Sequence, residues 1–258
     1  MARSRLIALA VVCWLALACT PAKNVHGPET SLTGKEVARL LAAPAARVAT
    51  LQAAGVAKFE LLDSTLVAEM LLVVDRQAGM RLDLVSPFGT PILSTIVTPE
   101  RVILLKFTRN VYVEGPANED TSEQLLGMTI PPQLLTQVVL GGFVSEAKKW
   151  RPAAPNKDDD TTLEYFESGP WRAGLDAEKQ RLRKLVRIGD NPVVVSWDSF
   201  KDIDGIDLPH EISIERTNER QRLVLKLGNV HINQNVDRDL LRPTPPPGWT
   251  VLRIGGTR

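Results

Sequence analysis

The sequence predicts an α+β domain built on an antiparallel sheet of about eleven strands with short helices over one face. Two observations lead there. Hydrophobic segments of period two follow one another six times with no helical pattern between them, and after a helical interruption five more follow. The composition agrees: 44% hydrophobic, 24% charged and 5% aromatic residues, with 17 Gly and 18 Pro, exclude collagen-like, low-complexity and disordered chains.

The chain opens on a segment that does not belong to this domain. Arg3 and Arg5 precede an uninterrupted apolar run of 13 residues, 6–18, too short to span a bilayer and the right length for a signal-peptide core. An ordinary secretory signal reads the same way. Residues 1–18 are thus expected to be a leader and 19–31, polar with two prolines and a glycine, a flexible tether. Residues 32–258 are expected to form a single domain. Both cysteines, Cys13 and Cys19, fall in the first nineteen residues, so no disulfide framework supports the fold.

Within the domain, Thr33-Gly34-Lys35-Glu36 has capping-box spacing. Val37, Leu40, Leu41, Val48 and Leu51 continue it as a helix that Pro44 should kink or divide. Strands are expected over 56–62, 66–75, 80–85, 91–97, 102–107 and 111–114, separated by breaks such as Gln77-Ala78-Gly79. A short amphipathic helix over 119–126 follows. A second is opened by Pro131-Pro132 and stopped by Gly141-Gly142. Residues 145–160 read as a polar loop, and strands resume at 163–167, 180–188, 193–200, 208–215 and 221–232. Met80, Leu82 and Leu84 oppose Arg81 and Asp83, and Leu223, Leu225 and Leu227 oppose Arg222 and Lys226. This alternation predicts one apolar and one solvated face. Three short helices leave two outcomes open, a concave side that is not filled or an ordinarily packed core.

Charge and motif patterns exclude several functions. Lys+Arg at 31 against Asp+Glu at 30 gives a net charge of +1, which offers no bulk attraction for nucleic acid. Trp150, Trp171, Trp197 and Trp249 lack the clustered basic residues of a base-stacking platform and are read as core or rim aromatics. His26, His210 and His231 are scattered, and no cysteine lies downstream to complete a zinc site. Asp158-Asp159-Asp160 lacks an EF-hand pattern and is read as a solvated loop. Ser86 and Ser199 lack a nucleophile elbow. Neither an enzyme nor a cofactor is expected.

Two resemblances give these observations a direction. Leu15-Ala16-Leu17-Ala18-Cys19 resembles the lipobox of bacterial lipoproteins, with Ala16 and Leu17 departing from its commonest form. The resemblance implies that Cys19 is acylated and becomes the mature N-terminus. Thr20, in place of the Asp that retains enteric lipoproteins at the inner membrane, implies the outer membrane.

The second resemblance is to the LolA/LolB family of lipoprotein carriers and receptors. LolB-like stretches run through residues 81–90, Thr98-Pro99-Glu100-Arg101-Val102, Leu126-Gly127-Met128-Thr129-Ile130-Pro131-Pro132 and Gln137-Val138-Val139-Leu140-Gly141. LolA-like ones are Asp204-Gly205-Ile206-Asp207-Leu208-Pro209-His210-Glu211-Ile212, Val230-His231-Ile232-Asn233 and Pro245-Pro246-Pro247-Gly248. Together they imply an open antiparallel half-barrel with helices as a lid over a hydrophobic cavity. That cavity would take acyl chains of lipoproteins or other lipids, delivered by a periplasmic LolA-like carrier. Met80, Leu82, Leu84, Ile92, Ile96, Leu134 and Val138 are its expected walls. Pro87, Phe88 and Gly89 form the expected membrane-contact loop, against the alternative that Phe88 folds back on the core. The loop over 145–160 and the tail beyond Asn235 exceed a minimal LolB-like receptor. The same half-barrel also serves other lipids, and a structural role in the envelope with a filled core is the competing function. Replacing Cys19 by Ala should yield an unprocessed or soluble product in cell fractionation. Normal membrane attachment of that variant would refute the anchor.

Overall fold

The computed structural model describes residues 32–255 apart from 62–63, 128–130 and 145–148. The leader, Cys19, the tether and Met128-Thr129-Ile130 therefore lie outside the described residues.

Helix α1 (Gly34–Arg47) starts as its capping box requires: Thr33 Oγ1 accepts the Glu36 N–H, and the Glu36 carboxylate accepts the Thr33 N–H at 2.7 Å. Pro44 lies inside the helix without dividing it. Val48 and Leu51, expected on this helix, are its C-cap and part of β1 (Thr50–Leu61), which begins six residues before the predicted strand. β2 (Ser64–Asp75), β3 (Gly79–Val85), β4 (Pro91–Val97), β5 (Arg101–Lys106) and β6 (Val111–Pro116) then meander antiparallel. Helices α2 (Glu119–Leu126) and α3 (Pro132–Val139) interrupt the sheet where expected. After them come β7 (Arg151–Ala153), β8 (Glu164–Ser168), β9 (Trp171–Asp176), β10 (Arg181–Arg187) and β11 (Val193–Asp198). A small hairpin, β12 (Lys201–Ile203) and β13 (Ile206–Leu208), leads to β14 (Glu211–Arg216), β15 (Gln221–Ile232) and β16 (Thr250–Arg253).

Fourteen strands form one open sheet in the order β16-β6-β5-β4-β3-β2-β1-β15-β14-β11-β10-β9-β8-β7, with β12 and β13 apart. Its centre is β1, paired on one side with β2 and on the other with β15. Gly55 belongs at this seam, because a Cβ there would sit 2.0 Å from the Lys226 carbonyl oxygen.

Sixteen strands among the described residues exceed the expected eleven, and each addition has a physical reason. β7, β12 and β13 are three residues long, too short to show a period. β9 buries four consecutive residues, Arg172 to Leu175, so it does not alternate. β16 is exposed throughout and is held by its ladder to β6, the one parallel pairing in the large sheet.

The outer face is not solvated throughout, as alternation alone suggested. Ile96, Ile103, Leu105 and Tyr112 form a second apolar cluster there, covered by Leu241 of the tail. Arg238 ties the tail to Asp75 at 2.7 Å, Arg81 donates to the Leu240 carbonyl, and Trp249 meets Phe107 edge-on at 5.2 Å between centroids.

The predicted loop over 145–160 is also more than a solvated connection, since it contains β7 and Asp159, whose side chain is only 7% exposed. The Asp159 carboxylate accepts from Asn156 N–H, from Arg172 at 2.7 Å and from Lys184 at 3.1 Å, and Arg172 also pairs with Glu167. Burial raises the Asp159 pKa, but these donors outweigh it and hold the carboxyl below its ordinary range. A depressed folded pKa stabilises above the ordinary carboxyl value and is lost as pH falls through the folded one. Asp159→Asn should therefore cost about 3 kcal/mol at neutral pH, because it leaves Arg172 short of a buried partner. It should also flatten the loss of stability below about pH 4, read by urea unfolding across pH.

Candidate functional site

On the inner face, alternation aligns the even positions of β3 with the odd positions of β4 and the even ones of β5. Met80, Leu82 and Leu84 thus stand beside Leu93, Thr95 and Val97, and these beside Leu104 and Lys106. Phe59 and Glu60 of β1, Ile214 and Arg216 of β14, and Gln221, Arg222, Leu223 and Leu225 of β15 complete the sheet side. Leu125 and Leu126 of α2 and Leu135 and Val139 of α3 form the roof over a cavity of about 320 Å³.

The roof is fixed by local chemistry. Asn118 caps α2 by accepting the Thr121 N–H at 2.9 Å, and Gly127 ends it with φ +67°. Pro132 opens α3, where its missing N–H costs nothing. Glu119 pairs with Arg187 at 2.8 Å, Gln133 donates to the carbonyls of Pro99 and Ala117, and Trp197 Nε1 donates to the Val138 carbonyl at 2.8 Å. The part of the interior under α1 is filled instead. There Phe143 packs against Trp150 and Trp171, and Phe166 and Trp197 are buried. A second depression of about 390 Å³ between α1, α3 and residues 76–79 shares Val97 with the first.

The expected wall residues divide. Met80, Leu82 and Leu84 line the cavity. Ile96 faces the other way, into the outer cluster, because the β3–β4 register places odd residues of β4 inward past a shift at Leu84/Val85. Ile92 packs against the main core without reaching the cavity wall. Leu134 and Val138 are core residues of α3, and their neighbours Leu135 and Val139 face the cavity. Lys106 and Arg216 were missed altogether. Their signal was positional, each being the last inward residue of its strand.

Among the described residues the register places five turns on one rim: those near 86–90, 107–110, 169–170, 188–192 and 217–220. In the first of these, Gly89 N–H closes a turn on the Ser86 carbonyl at 2.9 Å, and Gly89 itself has φ +78°. Pro87 and Phe88 occupy its tip, and Phe88 is 94% exposed, clear of the core. Leu66, Val67 and Ile188 are exposed along the same rim. His210 is buried, with Nδ1 3.2 Å from the Leu208 carbonyl, and burial lowers its pKa; His231 is exposed.

An open antiparallel sheet with helices over its apolar inner face is a fold seen in lipoprotein-sorting proteins. The chain is similar to a domain from Vibrio parahaemolyticus described as an outer membrane lipoprotein-sorting protein (TM-score 0.60, 10% identity, covering 81% of this chain and 97% of that one). It is also similar to a DUF1329 family protein from Desulfovibrio piger (0.56, 6%, 81% and 97%). A LolA superfamily protein from Nitrosomonas europaea shares the fold as well (0.53, 9%, 82% and 98%). The particular family is set by sequence: the chain belongs to the outer membrane lipoprotein LolB family, whose model matches residues 68–227. No curated protein matches the chain. Among the described residues no helix is long and apolar enough to cross a membrane.

The geometry separates two kinds of position. Phe88→Ser should change stability by no more than about 0.5 kcal/mol. Leu82→Ala, in the cavity wall, should cost about 2 kcal/mol, the low end for buried leucines, because one side already faces open space. Urea unfolding of both variants reads the contrast.

Proposed function

We propose that this chain is an outer-membrane lipoprotein, held at the periplasmic face by acylated Cys19, that binds acyl chains in the roofed cavity and receives or inserts lipoproteins. The supporting observation is the cavity of about 320 Å³, walled by leucine, valine and methionine, in a member of the LolB family. Aliphatic walls hold a floppy chain by contact area rather than by directed hydrogen bonds. A LolA-like carrier would present the cargo. Passing a chain between two apolar linings keeps its surface from water, so the transfer needs no catalytic residue.

Phe88 would meet the bilayer, joined by Leu66, Val67 and Ile188 on the same rim. One aromatic contributes ~1.5–3 kcal/mol on burial, small beside acyl chains at about 0.8 kcal/mol per CH₂. Its role is then local, to disturb the bilayer as cargo leaves. The filled interior under α1 favours a second reading, a structural envelope lipoprotein.

Mass spectrometry of the purified full chain should find co-purifying lipids or lipopeptides. An interior free of ligand supports the structural reading instead. In liposome reconstitution with a labelled acylated cargo, Phe88→Glu should slow transfer while folding and cargo binding persist. Equal rates would remove the membrane role of Phe88.

A further inference from the structure

One stretch of strand edge beside the cavity has no neighbouring strand. Arg76 N–H donates to the Ala49 carbonyl at 2.8 Å, and these two residues extend the β1–β2 register by one step. Backbone groups along an antiparallel strand alternate in direction. The even residues of β2 therefore bond to β1, and the odd ones, from Asp75 back to Glu69, bond to β3. β3 ends at Val85, opposite Glu69. The next odd residue, Val67, would fall opposite Pro87, which has no N–H to donate, and there the chain turns away through 86–90 into β4. β2 itself runs on to Ser64. The N–H and C=O groups of Thr65 and Val67 thus point to an open edge, and among the described residues no backbone hydrogen bond engages them there. Ser64, Thr65, Leu66 and Val67 are all exposed.

This edge borders the mouth of the cavity. Leu66 pairs directly with Phe59, and Leu84 beside it pairs with Met70; Phe59 and Leu84 both line the cavity. A strand laid along the edge would take the place that β3 leaves. Its residue opposite Leu66 would point inward over the mouth, and those on either side would meet Thr65 and Val67 through their backbones.

We propose that this edge docks, by strand addition, the extended segment that follows the acylated cysteine of a lipoprotein cargo. This rests on the reading of the cavity as an acyl site and adds how the polypeptide part of the cargo is held. The acylated cysteine takes the inward position opposite Leu66, with its chains running into the cavity, and the residues after it exchange main-chain hydrogen bonds with the edge. Strand addition draws its affinity from the main chain, so it accepts segments of differing sequence. The shortness of the edge favours the same occupant. Two residues offer too few bonds to hold a separate partner, whereas a segment tethered by its own acyl chains is presented at high effective concentration.

Isothermal titration of the full chain carrying Cys19→Ala, at one fixed detergent concentration, tests the assignment with three probes. They are triacylated cysteine amide, the same lipid followed by five alternating serine and alanine residues, and that lipopeptide with its peptide nitrogens methylated. The lipopeptide should bind about tenfold more tightly than the cysteine amide, as expected of one or two added hydrogen bonds. The methylated probe should lose that advantage. Thr65→Pro and Val67→Pro each remove an edge-facing N–H and spare the ladder to β1, a placement that strands tolerate. Each should shrink the advantage several-fold while leaving binding of the cysteine amide unchanged. The methylated probe needs no variant, so the test stands even if neither variant folds. Equal affinity for all three probes overturns strand addition and leaves acyl binding standing. Binding of none overturns both. A methylated probe that binds as tightly as its parent overturns main-chain recognition. An advantage that survives in folded Thr65→Pro and Val67→Pro overturns the role of this edge. A chain that sediments as a dimer, and as a monomer once Val67→Pro is introduced, assigns the edge to a second copy and overturns the cargo assignment.

Discussion

The pairing of β1 with β15 is the constraint on which the rest of the structure depends. It joins the strand after the first helix to one near the far end of the chain, and Ala49 N–H donates to Asn233 Oδ1 across 184 residues. Closing so long a loop costs entropy that grows only logarithmically with length. Two twelve-residue strands, paired along most of their length with one register shift between Gln52 and Ala54, offset it. From this seam both halves meander outward through short turns, so alternate turns fall on the same rim. Phe88, Lys106 and Arg216 come from distant parts of the sequence and share one end of the molecule because of that register.

Much of this was legible in the sequence where one residue's surroundings decide its fate. The capping box at Thr33 and Glu36, the alternation of β3 and β15, and the extent of α2 are local patterns, and the structure keeps them. Legibility fails where a second element intervenes. Ile96 looked like a wall residue because it is apolar on an alternating strand, yet the tail buries the outer face and accepts it there. Asp159 looked solvated within a run of acids, but Arg172 and Lys184 reach it from β9 and β10. Lys106 and Arg216 gave no local signal, since a basic residue at a strand end is ordinary until the register shows which face it occupies.

The interior is divided by residue shape. Under α1 it is filled by rings, with Phe143 set 4.8 Å from Trp171 and 6.1 Å from Trp150. Beneath α2 and the end of α3 the walls are mostly leucine, valine, isoleucine and methionine, with Phe59 the one ring among the described lining residues. Unbranched and γ-branched chains change rotamer at small cost, while closely packed rings do not. The rigid half therefore serves as a fixed wall against which the aliphatic half can reshape.

β16 stands apart from the rest of the sheet. It runs parallel to β6, is four residues long, and binds back through Arg253 to Glu114, which Arg101 also engages. Its place is the row of backbone donors and acceptors that β6 would otherwise present to solvent, a template for pairing with another chain. Because β16 follows every other strand in sequence, β6 stays an adhesive edge during synthesis until residues 250–253 emerge. A chain stopped after Ile232 would hold all of β1–β15 and still stick to its copies through that edge.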